Sequence, residues 1–287
     1  MTGYLEILGA VSIWAFFNGV LVKGIKTSGI GVGTWTALAG ICTFFATFLI
    51  YGSDPLATVT PLQAIFLLQL GIFAALNNSF YYTALKISLP VAALFHYLAP
   101  LLVIFWPFIF KGFYEPVWGV DVVAALIGAV GFYWLARSSF KEGNRKLVYL
   151  GIGSAIFYSL EIVYSGYVSN KLGVPAASSS FTKLAFQVLV MPIMAISLKE
   201  SMAVRGRSEW LKIVAGGILL YFSFILYFYG SATVSSLQRG ILGYIDRIGA
   251  IVLGCWLFKE ERAKLTKDVW IGGALIVGAS AMVLIFK

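Results

Sequence analysis

Long apolar runs recur from one end of the chain to the other, separated by short polar loops. They fall near residues 3–22, 31–51, 62–85, 90–110, 117–137, 147–170, 176–198, 209–231, 235–258 and 268–286. Each is long enough to cross a hydrocarbon core of about 30 Å as a helix. None shows the period-two alternation of a spanning strand, and backbone groups in lipid must be satisfied within their own segment. The pattern predicts an all-α integral membrane protein with ten transmembrane helices. The longest charged linker of the first half, Ser138 to Lys146, separates the fifth run from the sixth.

Composition sharpens this. The chain has 287 residues, is 60% hydrophobic and has a mean hydropathy of +0.90. Charged residues make up 11%, against about 25% in a soluble domain. A chain this apolar could not cover its own surface in water, whereas lipid tails solvate it. The net charge of +9 sits in short loops between the runs, so it does not form the clustered basic face that nucleic acid requires. Cys42 and Cys255 lie inside apolar runs without CxxC spacing, and read as small core residues. No basic stretch precedes the first run, so a cleaved leader is not expected there.

Five runs, a linker and five runs suggest an internal duplication, with units at 1–140 and 141–287. Tyr81-Tyr82 is echoed by Tyr227-Phe228-Tyr229, Glu115 by Glu261, Asp121 by Asp268, and Asn18 falls opposite Glu161, at offsets of 143 to 147 residues. An odd number of helices per unit turns the halves over. The expected architecture is therefore two inverted five-helix repeats, with a substrate site near the midplane between them.

Charges inside a bilayer are costly and mark function by default. Glu161 lies in mid-run, and an ionised carboxylate there needs a cation, water or a proton. It is a candidate ammonium-binding or proton-coupling group; a structural hydrogen bond is the plain alternative. Arg239 and Asp246 are seven residues apart, close to two helical turns, and so share a face. With Glu161 they would suit a zwitterionic amino acid, Arg239 taking the carboxylate. The plain alternative is an Arg239–Asp246 pair that neutralises itself. Arg247 is expected to point away from Asp246 into a salt bridge. His96, the one histidine, could take part in proton coupling or be a satisfied core residue. Asn77 and Asn78 supply polar groups to the third run, and Lys183 a charge to the seventh. Trp14, Tyr82, Tyr158 and Tyr227, with Glu161, could instead cage an organic cation. Small residues at Ala124/Gly128 and Ala274/Gly278 are expected to permit close helix packing. No catalytic signature, nucleotide-binding sequence or metal-ligand spacing is present, so no catalytic residue, cofactor or metal is assigned.

The stretch Ile13-Trp14-Ala15-Phe16-Phe17-Asn18 with Lys23, then Tyr82-Thr83-Ala84-Leu85, Pro90-Val91-Ala92-Ala93, Pro100 and Glu115, resembles the EamA-type branch of the drug/metabolite transporter superfamily. Tyr229-Gly230-Ser231-Ala232, Phe258-Lys259-Glu260-Glu261-Arg262 and Gly272-Gly273 extend the resemblance through the second half. It implies ten helices in two inverted repeats and transport of amino acids, other metabolites or drugs through a central cavity. Two features depart from it: Thr34-Trp35-Thr36-Ala37 stands where the family often has an Arg, and the ninth run carries Arg239, Asp246 and Arg247.

The expected function is secondary transport of small amphipathic metabolites, amino acids above all, by alternating access. The central cavity is expected between runs 1, 3, 4, 6, 8 and 9, with Asn18 joining the residues above on its wall. Choline-like cations held in an aromatic cage with Glu161 are the alternative, and a membrane-embedded enzyme using His96 is the alternative class. The expected partners are a small-molecule substrate and the lipid bilayer, with protons as a candidate coupling ion and no nucleic acid. A monomer or weak dimer in the cell membrane suffices. Fifteen Lys and Arg lie in the loops after the odd-numbered runs, against Lys111, Lys171 and Lys287 on the other side. Positive-inside counting therefore puts both termini outside, whereas the resemblance implies termini in the cytoplasm.

Overall fold

The computed structural model describes residues 2–51, 59–110, 119–141 and 144–285. Lys111, Glu115 and Lys287 lie outside the described residues, as does Asp121's side chain. Helix α1 (Thr2–Phe16) continues without a break into a π-helical turn, Phe17–Val22. Helices α2 (Gly29–Tyr51) and α3 (Pro61–Ile87) follow. The start of α3 is written locally. Thr60 and Gln63 form a reciprocal capping box, with Pro61 at the first position, where a missing N–H costs nothing.

The fourth apolar run differs from expectation. It is broken into α4 (Leu89–His96), α5 (Ala99–Val103) and α6 (Trp106–Ile109). Pro100 and Pro107 lie in the first turns of α5 and α6. Each lacks the N–H that would continue the ladder. The chain tightens to i→i+3 bonds there, Tyr97 N–H to Leu94 O and Phe105 N–H to Leu102 O. Helix α7 (Gly119–Lys141) overruns the expected polar linker, and α8 (Arg145–Gly166) starts inside it. The division at 140/141 thus falls in the last turn of α7. Long polar side chains do not oppose a helix once it has left the membrane.

Helix α8 also ends in a π-helical turn, Tyr167–Lys171. Then come α9 (Ala176–Leu198), α10 (Arg207–Ser231), α11 (Ser236–Leu257), the short α12 (Lys259–Arg262) and α13 (Lys267–Ile285). Ser235 caps α11 by accepting from Gln238 N–H.

Among the described residues, seven helical stretches are long and apolar enough to cross a membrane: 2–22, 29–49, 61–87, 145–171, 176–198, 207–231 and 236–257. Leu49, Phe108, Ile196 and Trp256 are all at least 70% exposed, a surface that suits lipid tails. The protein is a multi-pass integral membrane protein. Cys42, expected in the core, is exposed on α2, and Cys255 is half-buried; neither is in a disulfide. Lipid-facing and core positions are equally apolar, so hydropathy alone could not tell them apart.

Helix α3 packs on α8 and α9, α10 on α1 and α2, α2 on α9, α1 on α11, α4 and α5 on α8, and α7 on α13. The α7–α13 approach is made by Gly131. A Cβ there would stand 2.8 Å from Gly272 O and 3.0 Å from Ile276 N. Of the small-residue positions expected to permit close packing, Gly128 does so against Leu101 of α5, where a Cβ would collide with the leucine side chain, whereas Gly278 meets open space. Tyr97 and Tyr244 exchange two hydrogen bonds, each hydroxyl donating to the other's carbonyl, at 3.1 and 3.2 Å.

At one end of the bundle a buried carboxylate ties four elements together. Glu261 is fully buried. It pairs with Lys23 at 2.6 Å and Lys264 at 2.6 Å, and accepts from Leu89 N–H at 2.7 Å. Lys23 also donates to Lys86 O at 3.0 Å, Lys264 to Ile87 O at 2.7 Å, and Lys86 to Ile25 O. Nearby, Glu209 accepts from Lys26 N–H and the Thr27 hydroxyl, fixing the α1–α2 loop to the start of α10.

Candidate functional site

The interior of α8 is where the chemistry begins. Glu161 is 2% exposed. One carboxylate oxygen forms an ion pair with Lys183 of α9, and the other accepts from Asn77 Nδ2 of α3 at 2.9 Å. Asn77 Oδ1 in turn accepts from His96 Nε2 at 3.0 Å and from the Ser154 hydroxyl at 3.1 Å. The Asn77 amide is thereby spent on orienting Glu161, and His96 reaches the site through Asn77 and two lining tyrosines. The His96 ring lies between Tyr81 and Tyr158, at 4.3 and 4.2 Å between centroids.

Lys183 Nζ stands 4.0 Å from the Phe224 ring centroid, 5.3 Å from Trp14 and 5.9 Å from Tyr227. Trp14 is held in place by its Nε1–H, which donates to Ser223 Oγ at 2.7 Å, and by Tyr227 at 5.1 Å. Trp14 and Tyr227 are two of the four rings expected to cage an organic cation. They surround a lysine of the chain itself, and Glu161 is paired. An unpaired Glu161 is what would have favoured the choline-like reading.

A second ion pair lies on α11. Asp246 and Arg247 pair with each other, and Asn18 Nδ2 donates to Asp246 Oδ1 at 3.1 Å. Neighbouring residues diverge by about 100° on a helix, but an arginine side chain is long enough to fold back. The expectation that Arg247 points away from Asp246 is therefore corrected. Its guanidinium stands 4.7 Å from the Tyr81 ring and 5.2 Å from Tyr158. Asn18 itself sits in the first π-helical turn, a distortion common at functional sites.

These groups surround one cavity of about 30 Å³, lined by Trp14, Phe17, Asn18, Asn77, Asn78, Tyr81, Tyr82, Tyr158, Glu161, Lys183, Leu220, Phe224 and Arg247. Seven of the residues expected at the site line it: Glu161, Trp14, Asn18, Asn77, Asn78, Tyr82 and Tyr158. Tyr227 and His96 stand behind the wall, and Asp246 reaches it through Asn18 and Arg247. The fourth run contributes no lining residue, contrary to expectation, and the seventh contributes Lys183.

Arg239 is elsewhere. It is 1% exposed and binds Ser165 Oγ at 3.1 Å, Ile162 O at 2.9 Å and Ser236 Oγ at 2.9 Å. It makes no ion pair with Asp246 and clamps the start of α11 to the end of α8. Sharing a helical face with Asp246 did not bring it to the cavity. Sequence reasoning left Lys183 unassigned and missed Tyr81, Phe17, Leu220, Phe224 and Arg247. For Lys183 and Arg247 the signal was present, a full charge in an apolar run. For the others there was none, since each is one apolar or aromatic residue among many.

A cavity of about 300 Å³ opens between α4, α11 and α13, lined by residues such as Leu94, Tyr97, Ile248, Val252 and Trp270. Its wall is almost wholly apolar, so it offers no chemistry comparable to the charged chamber.

No curated protein matches this chain. A solved structure described only as "Crystal structure of protein" superposes with a TM-score of 0.65 at 23% identity, covering 99% of this chain and 97% of that one. That likeness establishes the fold alone. Residues 145–285 match the EamA-like transporter family. The matched stretch holds Glu161, Lys183, Asp246 and Arg247, so the charged residues of the chamber all lie in the part of the chain that is similar to that family.

Proposed function

We propose that the chain is a secondary transporter of small zwitterionic metabolites, amino acids above all, working by alternating access around the Glu161 chamber. One observation carries the reading: the chamber's charges come as two opposite pairs, Glu161 with Lys183 and Asp246 with Arg247. Their sum is zero. A net charge added by a cationic or anionic substrate would have to cross the membrane core uncompensated, at a cost. A zwitterion leaves the balance unchanged and offers each pole a partner. On the anionic side, Arg247 Nε and Asn78 Nδ2 have no acceptor among the described residues. Buried donors left unmet cost about 1–3 kcal/mol each, and a substrate carboxylate would meet both. Arg247 thus takes the role first expected of Arg239. The chamber at about 30 Å³ holds one or two waters, so substrate entry requires an opened state.

The two-repeat reading, 1–140 and 141–287 in inverted orientation, has support from helix pairing. Exchange α1 with α8, α2 with α9, α3 with α10, α4 and α5 with α11, and α7 with α13. The contact α3–α8 then becomes α10–α1, α3–α9 becomes α10–α2, α1–α11 becomes α8–α4, and α2–α9 and α7–α13 map onto themselves; all of these contacts are present. Both α1 and α8 end in π-helical turns. The Tyr97–Tyr244 exchange spans 147 residues, within the sequence offsets, and reciprocal contacts are the mark of a twofold axis. The charge count favours termini outside, which puts the Glu261 tie at the cytoplasmic end.

Flux through the full-length protein in liposomes tests the proposal. A neutral L-amino acid should be moved, while the matching amine and the matching carboxylic acid, each lacking one pole, should not. Choline flux without zwitterion flux would replace this reading with the cage reading.

A further inference from the structure

An ammonium group has three donors. Lys183 gives one to Glu161 and turns the rest of its charge to the faces of Phe224, Trp14 and Tyr227. It is 3% exposed and lies on the cavity wall. A lysine kept only for packing would gain from backbone carbonyls, as Lys23, Lys86 and Lys264 do. Lys183 makes no such bond among the described residues. Its surroundings are those of a ligand site: one carboxylate held at a fixed angle by Asn77, and three ring faces that attract a cation without fixing its direction.

We infer that Lys183 is a tethered stand-in for a free ligand: the site made by Glu161, Trp14, Phe224 and Tyr227 is a primary-ammonium site, and the chain fills it with its own side chain while the carrier is empty. An arriving alkylammonium displaces the lysine from Glu161. Lys183 then retreats along its flexible stem, and the carboxylate is never left buried and unpaired, the state that is most costly. The identification of that ammonium with the amino pole of a transported zwitterion rests on the function proposed above. The affinity of the site for an ammonium does not.

Chemical rescue separates the two. Lys183→Ala removes the stem and leaves Glu161 facing a void between the rings. Thermal unfolding of the purified full-length protein in detergent is measured with millimolar ethylammonium chloride, tetramethylammonium chloride or sodium chloride. K183A should melt below wild type, and ethylammonium should return at least half of the lost melting temperature. Tetramethylammonium, with no N–H for Glu161, should return little. Wild type, whose lysine competes for the site, should respond much less than K183A, and the K183A/E161Q double variant, whose carboxylate is gone, should not respond. The inference is overturned if ethylammonium moves K183A no more than sodium does, or moves wild type and K183A alike. If K183A yields no folded protein in sodium chloride, it is purified in ethylammonium throughout: recovery only there supports the inference, and recovery in neither salt overturns it. If wild type carries no zwitterion in liposomes, the transport reading fails while rescue still reports on the site.

Discussion

Glu261 is the buried carboxylate whose loss can be worked out most completely. Replacing it with Gln keeps the shape and keeps an oxygen for Leu89 N–H, now 2.7 Å from the carboxylate. It removes the charge facing Lys23, which is 10% exposed, and Lys264, which is 33% exposed. The Lys264 pair is open enough to water to contribute about 1 kcal/mol or less. The Lys23 pair is different, because breaking a buried pair from one side costs about 3–5 kcal/mol. Lys23 keeps its bond to Lys86 O at 3.0 Å, which puts the loss near the bottom of that range. A total of about 3 kcal/mol corresponds to a melting temperature lower by on the order of 10 °C for a chain of this size. Tryptophan fluorescence during thermal unfolding reads this directly. Lys23→Met removes the other partner, and the E261Q/K23M double variant should recover more than about 1 kcal/mol relative to the sum of the single losses. If E261Q melts with wild type, or if the two losses simply add, then Glu261 does not hold this end of the bundle shut.

Two further outcomes follow from other positions. At Gly19 a Cβ would stand 2.7 Å from Ala250 O and 2.9 Å from Ala250 Cα, with only backbone to yield; Gly19→Ala should therefore destabilise by about 1–3 kcal/mol, whereas Gly278→Ala, at a site with nothing within 4 Å, should leave the melting curve unchanged. For orientation, a cysteine at residue 2 in a background lacking Cys42 and Cys255 should react with an impermeant thiol reagent in intact cells, and labelling only after lysis would reverse the assignment.

The apolar runs located the helices closely because length in lipid is a physical constraint that each run must meet alone. The fourth run broke the pattern because hydropathy is blind to Pro100 and Pro107, which are as apolar as their neighbours but cannot extend a ladder. Charges in the runs were legible for the same reason that lengths were: lipid makes each one costly. Their partners were not. Glu161 meets Lys183 across two helices, and Asp246 meets Arg247 next door, against the simple rule that adjacent helical residues diverge. Arg239 shows the limit of face-sharing arguments. Two turns separate it from Asp246, which is enough to move it from the chamber wall to the clamp on Ser165 and Ile162 O.

The paired bonds of Tyr97 and Tyr244 have a bearing on ancestry. Each hydroxyl gives to the other's carbonyl, so the two halves contribute the same residue type in the same role. On the two-repeat reading proposed above, a half-length ancestor dimerising about a twofold axis would have supplied both bonds at once from a single tyrosine codon. Fusion of two copies into one gene would then have kept a contact already in place, and freed the rest of each copy to diverge. The ion pairs of the chamber, all four members of which lie in the second half, are what such divergence would leave on one side only.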